Sequence, residues 1–166
     1  FLLYIYMNLR YVPKKLSKND KKKQIKMIKK SKKMYKKGQY QTRKKLISFQ
    51  SKESSHIKNA KKIYKVKKIG ATAELAKKTG CSKKTLRNII KKGQGAYYSS
   101  GSRPNQTSHS WGIARLASTI TSGKAAAVDF NILKEGCNNK SKALLLAKKA
   151  KKKHGHGTRK VPKIKK

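Results

Sequence analysis

The stretch ELAKKTGCSKKTLRNII, Glu74–Ile90, carries the most specific local pattern in the chain. Gly80 stands where a tight turn requires a positive φ, and Cys81 fills the apolar position of that turn. Ser82 is a typical N-cap for a following helix. The residues spaced to face a core are Leu75 and Ala76 before the turn and Leu86, Ile89 and Ile90 after it. This spacing predicts a helix-turn-helix-like motif.

The second helix of the motif exposes side chains that can reach phosphates and base edges in a major groove. These candidate nucleic-acid-binding residues are Lys83, Lys84, Arg87, Asn88, Lys91 and Lys92. Two short helices around a glycine also form a hairpin that merely packs against a core, and the motif does not decide between the two interpretations. With one Arg and one Asn in the set, fine sequence reading is not expected.

The charge of the whole chain points to an anionic partner. Its 166 residues include 47 Lys and Arg against 5 Asp and Glu, which gives a net charge of +42. Apolar residues make up 36% and aromatic residues 7%. Burial of so little apolar surface is expected to compensate only part of the conformational entropy that the chain loses on folding. Of the basic residues 41 are Lys, which favours sequence-independent attraction to DNA, RNA, an anionic membrane or an acidic protein surface.

The charge is distributed unevenly and suggests four segments. Residues 1–93 carry +28, residues 94–139 only +2, and residues 140–166 +12. We predict a basic N-terminal arm with one long helix (1–53), a basic helical segment with the motif (54–93), a near-neutral core (94–139), and a helix with a basic tail (140–166). The predicted fold is mainly α, with a small helical core flanked by extended polybasic arms.

Capping and stop signals place the helices of the basic segments. Ser17 followed by Asp20 resembles a capping box, and the helix it starts is expected to end at Gly38. A second helix is predicted from Ser54 or Ser55 to Tyr64. Residues 39–51 are ambiguous.

The central segment is predicted to begin with a loop over Gly93–Thr107, because Gly, Ser, Asn and Pro are frequent there. Tyr97 and Tyr98 can stack on bases, but packing is the preferred interpretation for this pair. Helices are expected over Ser110–Ile120, over Lys124–Leu133 with Val128 facing inward, and over Lys140–Lys149. These apolar faces are few, so partner surfaces are expected to complete the burial.

Catalytic and metal sites find little support in the sequence. Asp129 and Glu135 form no convincing acid/base pair, and salt bridges to Arg103 or Arg115 are the expected use. His154 and His156 are at best a fragment of a metal site. The residue patterns therefore predict no enzyme, no catalytic residue, no metal and no cofactor.

The two cysteines are far apart in the sequence. Cys81 and Cys137 are separated by 56 positions without a CxxC pair, so each is expected to be a buried thiol in a reducing compartment.

The first residues are predicted to be neither a secretory signal nor a membrane span. The run FLLYIY before Met7 resembles neither a secretory signal nor a membrane span. Processing before Phe1 and a natural start at Met7 both remain open, and no transmembrane segment is predicted.

One segment carries a family resemblance. The stretch KKGQGAYYSSGSRPNQTSHSWGIARLAS, Lys91–Ser118, resembles the signature of small basic proteins of large double-stranded DNA viruses, including viruses of algae. Tyr11–Lys23 and Glu74–Ser82 are similar to the same family. The resemblance implies a minor capsid protein on the inner face of the virion, made in an infected cell, with other capsid proteins and an anionic membrane or viral DNA as partners. The alternative is a non-enzymatic DNA-binding protein that uses the helix-turn-helix-like segment.

Overall fold

The computed structural model describes residues 7–8, 10–155 and 163–164. This part of the chain is mainly helical, as predicted. Its eight helices are α1 (Lys18–Lys36), α2 (Ser55–Tyr64), α3 (Ala73–Thr79), α4 (Lys83–Ser99), α5 (Ser108–Thr119), α6 (Lys124–Val128), α7 (Phe130–Gly136) and α8 (Lys142–His154). The two-residue strands β1 (Met7–Asn8) and β2 (Lys163–Ile164) pair antiparallel, with Met7 opposite Ile164. The run before Met7 and the tail from His156, apart from β2, lie outside the described residues.

Two compact units make up the fold, and they do not coincide with the four predicted segments. Unit 1 consists of Phe1–Lys52, Gly95–Ser108 and Lys160–Lys166, and unit 2 of Glu53–Gln94 and His109–Arg159. The described N-terminal residues are therefore a folded unit and not an extended arm. Residues 95–108, which the charge pattern assigned to the central core, belong with that unit.

Unit 1 begins with a capped helix. The Asp20 amide donates to Ser17 Oγ over 3.2 Å, and α1 ends before Gly38, whose φ is 74°, so the predicted helix is confirmed. The Asp20 carboxylate accepts from the amide and hydroxyl of Ser48 over 3.0 and 2.6 Å. Ser48 Oγ in turn accepts from the Ser17 amide. In a capping box the Asp20 side chain would accept a hydrogen bond from the Ser17 amide. Here Ser48 Oγ accepts that hydrogen bond instead.

The core of unit 1 is unusually polar. The buried residues of α1 are Asp20, Gln24, Ile28 and Ser31. Gln24 Nε2 donates to the carbonyls of Tyr11 and Ser102. Arg43 is 8% exposed and its guanidinium lies 3.7 Å from the centre of the fully buried Tyr97 ring. Since each of these polar groups has a partner, the unit buries them without leaving an unmade hydrogen bond.

Unit 2 has an apolar core of twenty buried residues. Ser54 caps α2, Thr72 caps α3 and Ser141 caps α8 by accepting backbone N–H groups. The core includes the apolar faces that the sequence predicted for α4, α5 and α8: Leu86, Ile89, Ile90, Leu116, Ala117, Ile120, Ala143, Leu144 and Ala147. These helices bury a connected core with their own side chains.

The predicted loop over Gly93–Thr107 is wrong in its first half, because α4 continues to Ser99. A Cβ on Gly93 would lie 2.7 Å from Gly112 Cα, and one on Gly112 would lie 2.6 Å from the Ile90 carbonyl oxygen. The two helices therefore cross closely at glycines. This packing offsets the low helix propensity of Gly. Tyr97 lies in that helical extension and is buried, so its predicted packing role is confirmed.

The predicted helix over Lys124–Leu133 is helical but not continuous, because the chain forms α6 and α7 with a break at Asp129. Asp129 is buried at the break, whereas Val128 is 43% exposed and does not face inward. At the break, Asp129 forms ion pairs with Lys92 and Arg115. The apolar periodicity of the sequence does not indicate these pairs.

Candidate nucleic-acid interface

The predicted helix-turn-helix-like segment of unit 2 folds into two helices, α3 and α4, joined by a tight turn. Leu75 of α3 is fully buried, and α3 ends at Gly80 with φ of 75°. A Cβ on Gly80 would also lie 2.6 Å from Ser141 Cβ. The turn thus requires glycine for two reasons, conformation and space.

The turn is fixed to the segment between α7 and α8. The Ser82 amide donates to the Gly136 carbonyl over 2.9 Å, and the Asn138 amide donates to the Gly80 carbonyl over 2.8 Å. Cys81 and Cys137 between them form a disulfide bond. The prediction of two separate buried thiols is therefore wrong, although both residues are buried as expected. Sequence spacing did not show the pairing because the two cysteines, 56 positions apart, meet only through the tertiary fold.

Helix α4 begins as predicted at Ser82, whose Oγ accepts from the Thr85 amide over 3.1 Å. Its inner face is sealed by Thr85, Leu86, Ile89, Ile90 and Gly93, all buried. A helix with one face fixed in a core holds its other face at a defined position. This arrangement suits recognition of an extended ligand.

The outer face of α4 carries five of the six predicted site residues. Lys83, Lys84, Arg87, Asn88 and Lys91 are exposed. At about 100° per residue they span an arc of about 140°, and we call this arc the α4 outer face. Its chemistry is four cations and one amide, which donate to phosphate oxygens and, for Arg87 and Asn88, to base edges.

Lys92, the sixth predicted residue, is engaged differently. Its Nζ lies 2.7 Å from Asp129 Oδ1. Arg115 donates to both oxygens of the same carboxylate over 2.9 and 2.8 Å, and the Thr119 hydroxyl donates over 3.1 Å. Lys92 therefore stabilises the core. The ion pair of Asp129 with Arg115 confirms one of the two predicted uses of the acidic residues.

The environment of Asp129 keeps it ionised. Burial raises the pKa of this carboxyl group, but the hydrogen bonds and charges of Arg115 and Lys92 outweigh burial, and the pKa lies below its ordinary value. A buried carboxylate of this kind holds helices together.

Further candidate side chains lie in unit 1, and of these the sequence patterns singled out only Tyr97 and Tyr98. Arg43 joins residues 39–52 to the end of α4 through Tyr97, and Tyr35, Tyr40 and Tyr98 form an aromatic cluster. The one sequence signal was the presence of Tyr among lysines. Pairing of residues so far apart in the chain has no local signature.

Other predicted features can be placed briefly. His154 ends α8 and His156 lies outside the described residues. Within the described ranges no three His, Cys, Asp or Glu side chains are grouped to hold a metal ion. Nor does any helix there combine the length and hydrophobicity required to cross a membrane.

Comparisons place the chain in a family without assigning an activity. No curated protein and no solved structure matches it. A family model matches residues 9–155, which include both halves of the helix-turn-helix motif and the aromatic cluster. The chain therefore belongs to DUF5824, a family of unknown function.

Proposed function

We propose that the protein binds double-stranded DNA without catalysing a reaction, and that the α4 outer face makes the principal contacts. The observation that carries this proposal is the two-sided character of α4. Its inner face is locked in the core of unit 2, and its outer face presents Lys83, Lys84, Arg87, Asn88 and Lys91 to solvent. This is the placement that a recognition helix requires.

The charge balance supports a polyanionic ligand. Against 47 basic residues the sequence has five acidic ones, and four of these already have basic neighbours: Asp20 with Lys23, Glu53 with Lys61, Glu74 with Lys78, and Asp129 with Lys92 and Arg115. Most of the positive charge therefore has no internal counterion. Nucleic-acid phosphates can neutralise this charge, and their binding releases salt ions. The affinity is therefore expected to fall steeply as the salt concentration is raised.

The decisive experiment distinguishes the effect of the α4 outer face from the effect of net charge. A variant with Lys83→Ala, Lys84→Ala and Arg87→Ala is compared with one carrying Lys148→Ala, Lys149→Ala and Lys152→Ala. The second set consists of exposed lysines on α8 and lowers the net charge by the same amount. Affinity for a duplex is measured by fluorescence anisotropy over a salt series.

The α4 variant is expected to lose about tenfold or more in affinity. The slope of log affinity against log salt should fall by about 0.9 for each lost phosphate contact. The α8 variant should keep nearly the affinity of the natural protein. Equal losses in both variants would mean that net charge alone binds DNA, and the α4 outer face would have no special role.

We propose a structural virion role as the second candidate. In this role the protein is a minor capsid component that joins coat subunits on the inner side of the shell and contacts membrane or DNA there. The observation that favours it, besides the resemblance of Lys91–Ser118, is that exposed lysines are not confined to α4. They also line α1 and α8, as expected for contacts with several acidic surfaces.

Cross-linking in purified particles of the encoding virus distinguishes the two candidates. A capsid role predicts the protein in intact particles, linked through lysines of α1 and α8 to coat subunits. Absence from the particles would exclude this role and leave the DNA-binding proposal unaffected.

A further inference from the structure

We propose that unit 1 carries a second site, for single-stranded nucleic acid, in which the Tyr40 ring stacks on a base and Lys44 and Lys45 bind neighbouring phosphates. This goes beyond the duplex site of the proposed function, which lies on unit 2. It rests on the tyrosine cluster (Tyr35, Tyr40 and Tyr98) and on the loop of residues 39–52, called here the basic loop.

The tyrosine cluster presents a supported aromatic ring to water. Tyr35 and Tyr98 lie nearly parallel, with ring centres 6.3 Å apart. Tyr40 meets both at steep angles, with centres 5.9 and 5.1 Å away, yet Tyr40 remains 68% exposed. A ring held in place by two others, with most of its surface in water, has the arrangement that proteins use to stack on an unpaired base.

The basic loop is held by side-chain bonds, although residues 39–52 form neither helix nor strand. The Arg43 amide donates to Tyr97 Oη over 2.9 Å, and the Leu46 amide to Asn105 Oδ1 over 2.7 Å. Asn105 Nδ2 donates to the carbonyls of Leu46 and Phe49. A loop fixed in this way loses little conformational entropy when it binds a ligand.

Arg43 is buried, whereas the two lysines that follow it are exposed. Its guanidinium stacks on Tyr97 and donates to Ser31 Oγ, Ser102 Oγ and the Tyr97 carbonyl, over 2.8 to 2.9 Å. Arg43 is thus used inside the unit, whereas Lys44 and Lys45 are exposed. Unit 1 has one acidic residue in its sequence, Asp20, which accepts two hydrogen bonds from Ser48. The loop lysines therefore face solvent in a unit with almost no negative charge.

These features favour nucleic acid over a protein partner. Cores of protein interfaces are depleted in Lys, but lysines flank Tyr40 on both sides in the sequence. A base inside a duplex has both faces covered by its neighbours, so along a strand it is the unpaired bases that can stack on Tyr40. The single strand is accordingly the form that the cluster fits.

The test measures binding of labelled oligo(dT) of about 12 nucleotides to the full chain over a salt series, with a duplex of equal length in parallel. Tyr40→Ala should weaken oligo(dT) binding about tenfold. It should leave the slope against log salt unchanged, because stacking releases no ions. Tyr40→Phe, which keeps the ring, should bind like the natural protein. Duplex affinity should not change in either variant.

Three further variants make the result specific. Ile47→Ala removes a fully exposed apolar side chain from the same loop and should leave oligo(dT) binding intact. Lys44→Ala with Lys45→Ala should instead lower the salt slope by about 0.7 for each contact. Tyr40→Leu keeps apolar volume without a π face and should match Tyr40→Ala if stacking is the cause.

Unchanged oligo(dT) affinity in Tyr40→Ala would overturn the proposal. So would an equal loss in Ile47→Ala, which would indicate a general apolar surface for a protein. Neither result depends on the α4 outer face, whose variants are measured on the duplex.

Discussion

Asp129 bonds to more side chains than its position in the sequence suggests. In a chain of net charge +42 its fully buried carboxylate binds Lys92 and Arg115 and so joins α4, α5 and the break between α6 and α7. Without the carboxylate, Arg115, whose side chain is 21% exposed, would keep its charge with no partner there. The residue therefore stabilises the helix that carries the proposed DNA-binding face.

Asp129→Asn should lower the free energy of unfolding at pH 7 by about 2–3 kcal/mol. This is less than the cost of breaking a fully buried ion pair, because water screens the partly exposed Lys92. The pKa of Asp129 is depressed in the folded state, so its contribution is complete above the ordinary value of 3.8 and is lost as pH falls through the folded pKa. The difference between the two proteins should therefore shrink at low pH. Denaturant unfolding at pH 7 and at acidic pH measures it, and an unchanged difference would show that charge is not the cause.

At the scale of elements, the crossing of α4 and α5 depends on glycine. Gly93 and Gly95 lie two residues apart in α4, but only Gly93 faces the crossing. A Cβ at Gly93 would meet Gly112 Cα at 2.7 Å and Arg115 Cβ at 3.0 Å, whereas a Cβ at Gly95 meets nothing within 4 Å.

The two alanine substitutions should consequently have opposite signs. Gly93→Ala should destabilise the protein by about 1–3 kcal/mol through overpacking. Gly95→Ala should stabilise it by about 0.5–1 kcal/mol, because Ala favours a helix. Thermal unfolding of both variants tests this, and an equal effect of the two changes would contradict the close crossing.

The disulfide Cys81–Cys137 is the second element-scale device, because it ties the helix-turn-helix turn to the segment before α8. Replacing both cysteines with Ser should cost about 2–4 kcal/mol. Reductant should lower the melting temperature of the natural protein and leave that of the variant unchanged. If the natural protein does not respond to reductant, the bond does not contribute as described.

Local signals predicted those elements whose causes are local. Ser17 and Ser82 are caps in the structure as in the sequence, α2 begins at one of its two predicted starts with Ser54 as its cap, and Gly80 terminates α3. The candidate site followed from the same logic, since the apolar spacing of α4 fixed which residues face outward. The helical extension at Gly93, the break at Asp129 and the disulfide were missed, because each depends on a partner distant in sequence. The buried polar face of α1, with Gln24 and Ser31, was invisible to apolar periodicity.

At the scale of the whole molecule, the excess charge opposes folding while the buried core favours it. The prediction that burial would be incomplete rested on apolar content, but unit 2 connects twenty buried residues, and unit 1 uses hydrogen-bonded polar groups instead. Among the described residues the large apolar side chains left exposed are Tyr40, Ile47, Val128 and Leu145. The association of residues 95–108 with unit 1 could not be predicted, because charge patterning carries no information on such long-range packing.

Self-repulsion at +42 should make stability depend on ionic strength. Raising salt from about 0.01 M to about 0.15 M shortens the screening length from about 30 Å to about 8 Å, so the melting temperature should rise. Scanning calorimetry in sodium chloride measures this effect. A melting temperature that stays constant or falls would show that repulsion is not a significant term.

DNA binding through the α4 outer face can be observed residue by residue in an NMR titration. The isotope-labelled protein is titrated at moderate salt with a duplex of about 10 base pairs, one helical turn. If the α4 outer face binds DNA, the largest amide shifts will fall on Lys83, Lys84, Arg87, Asn88 and Lys91. Shifts spread evenly over the lysines of α1 and α8, with α4 no different from them, would contradict it.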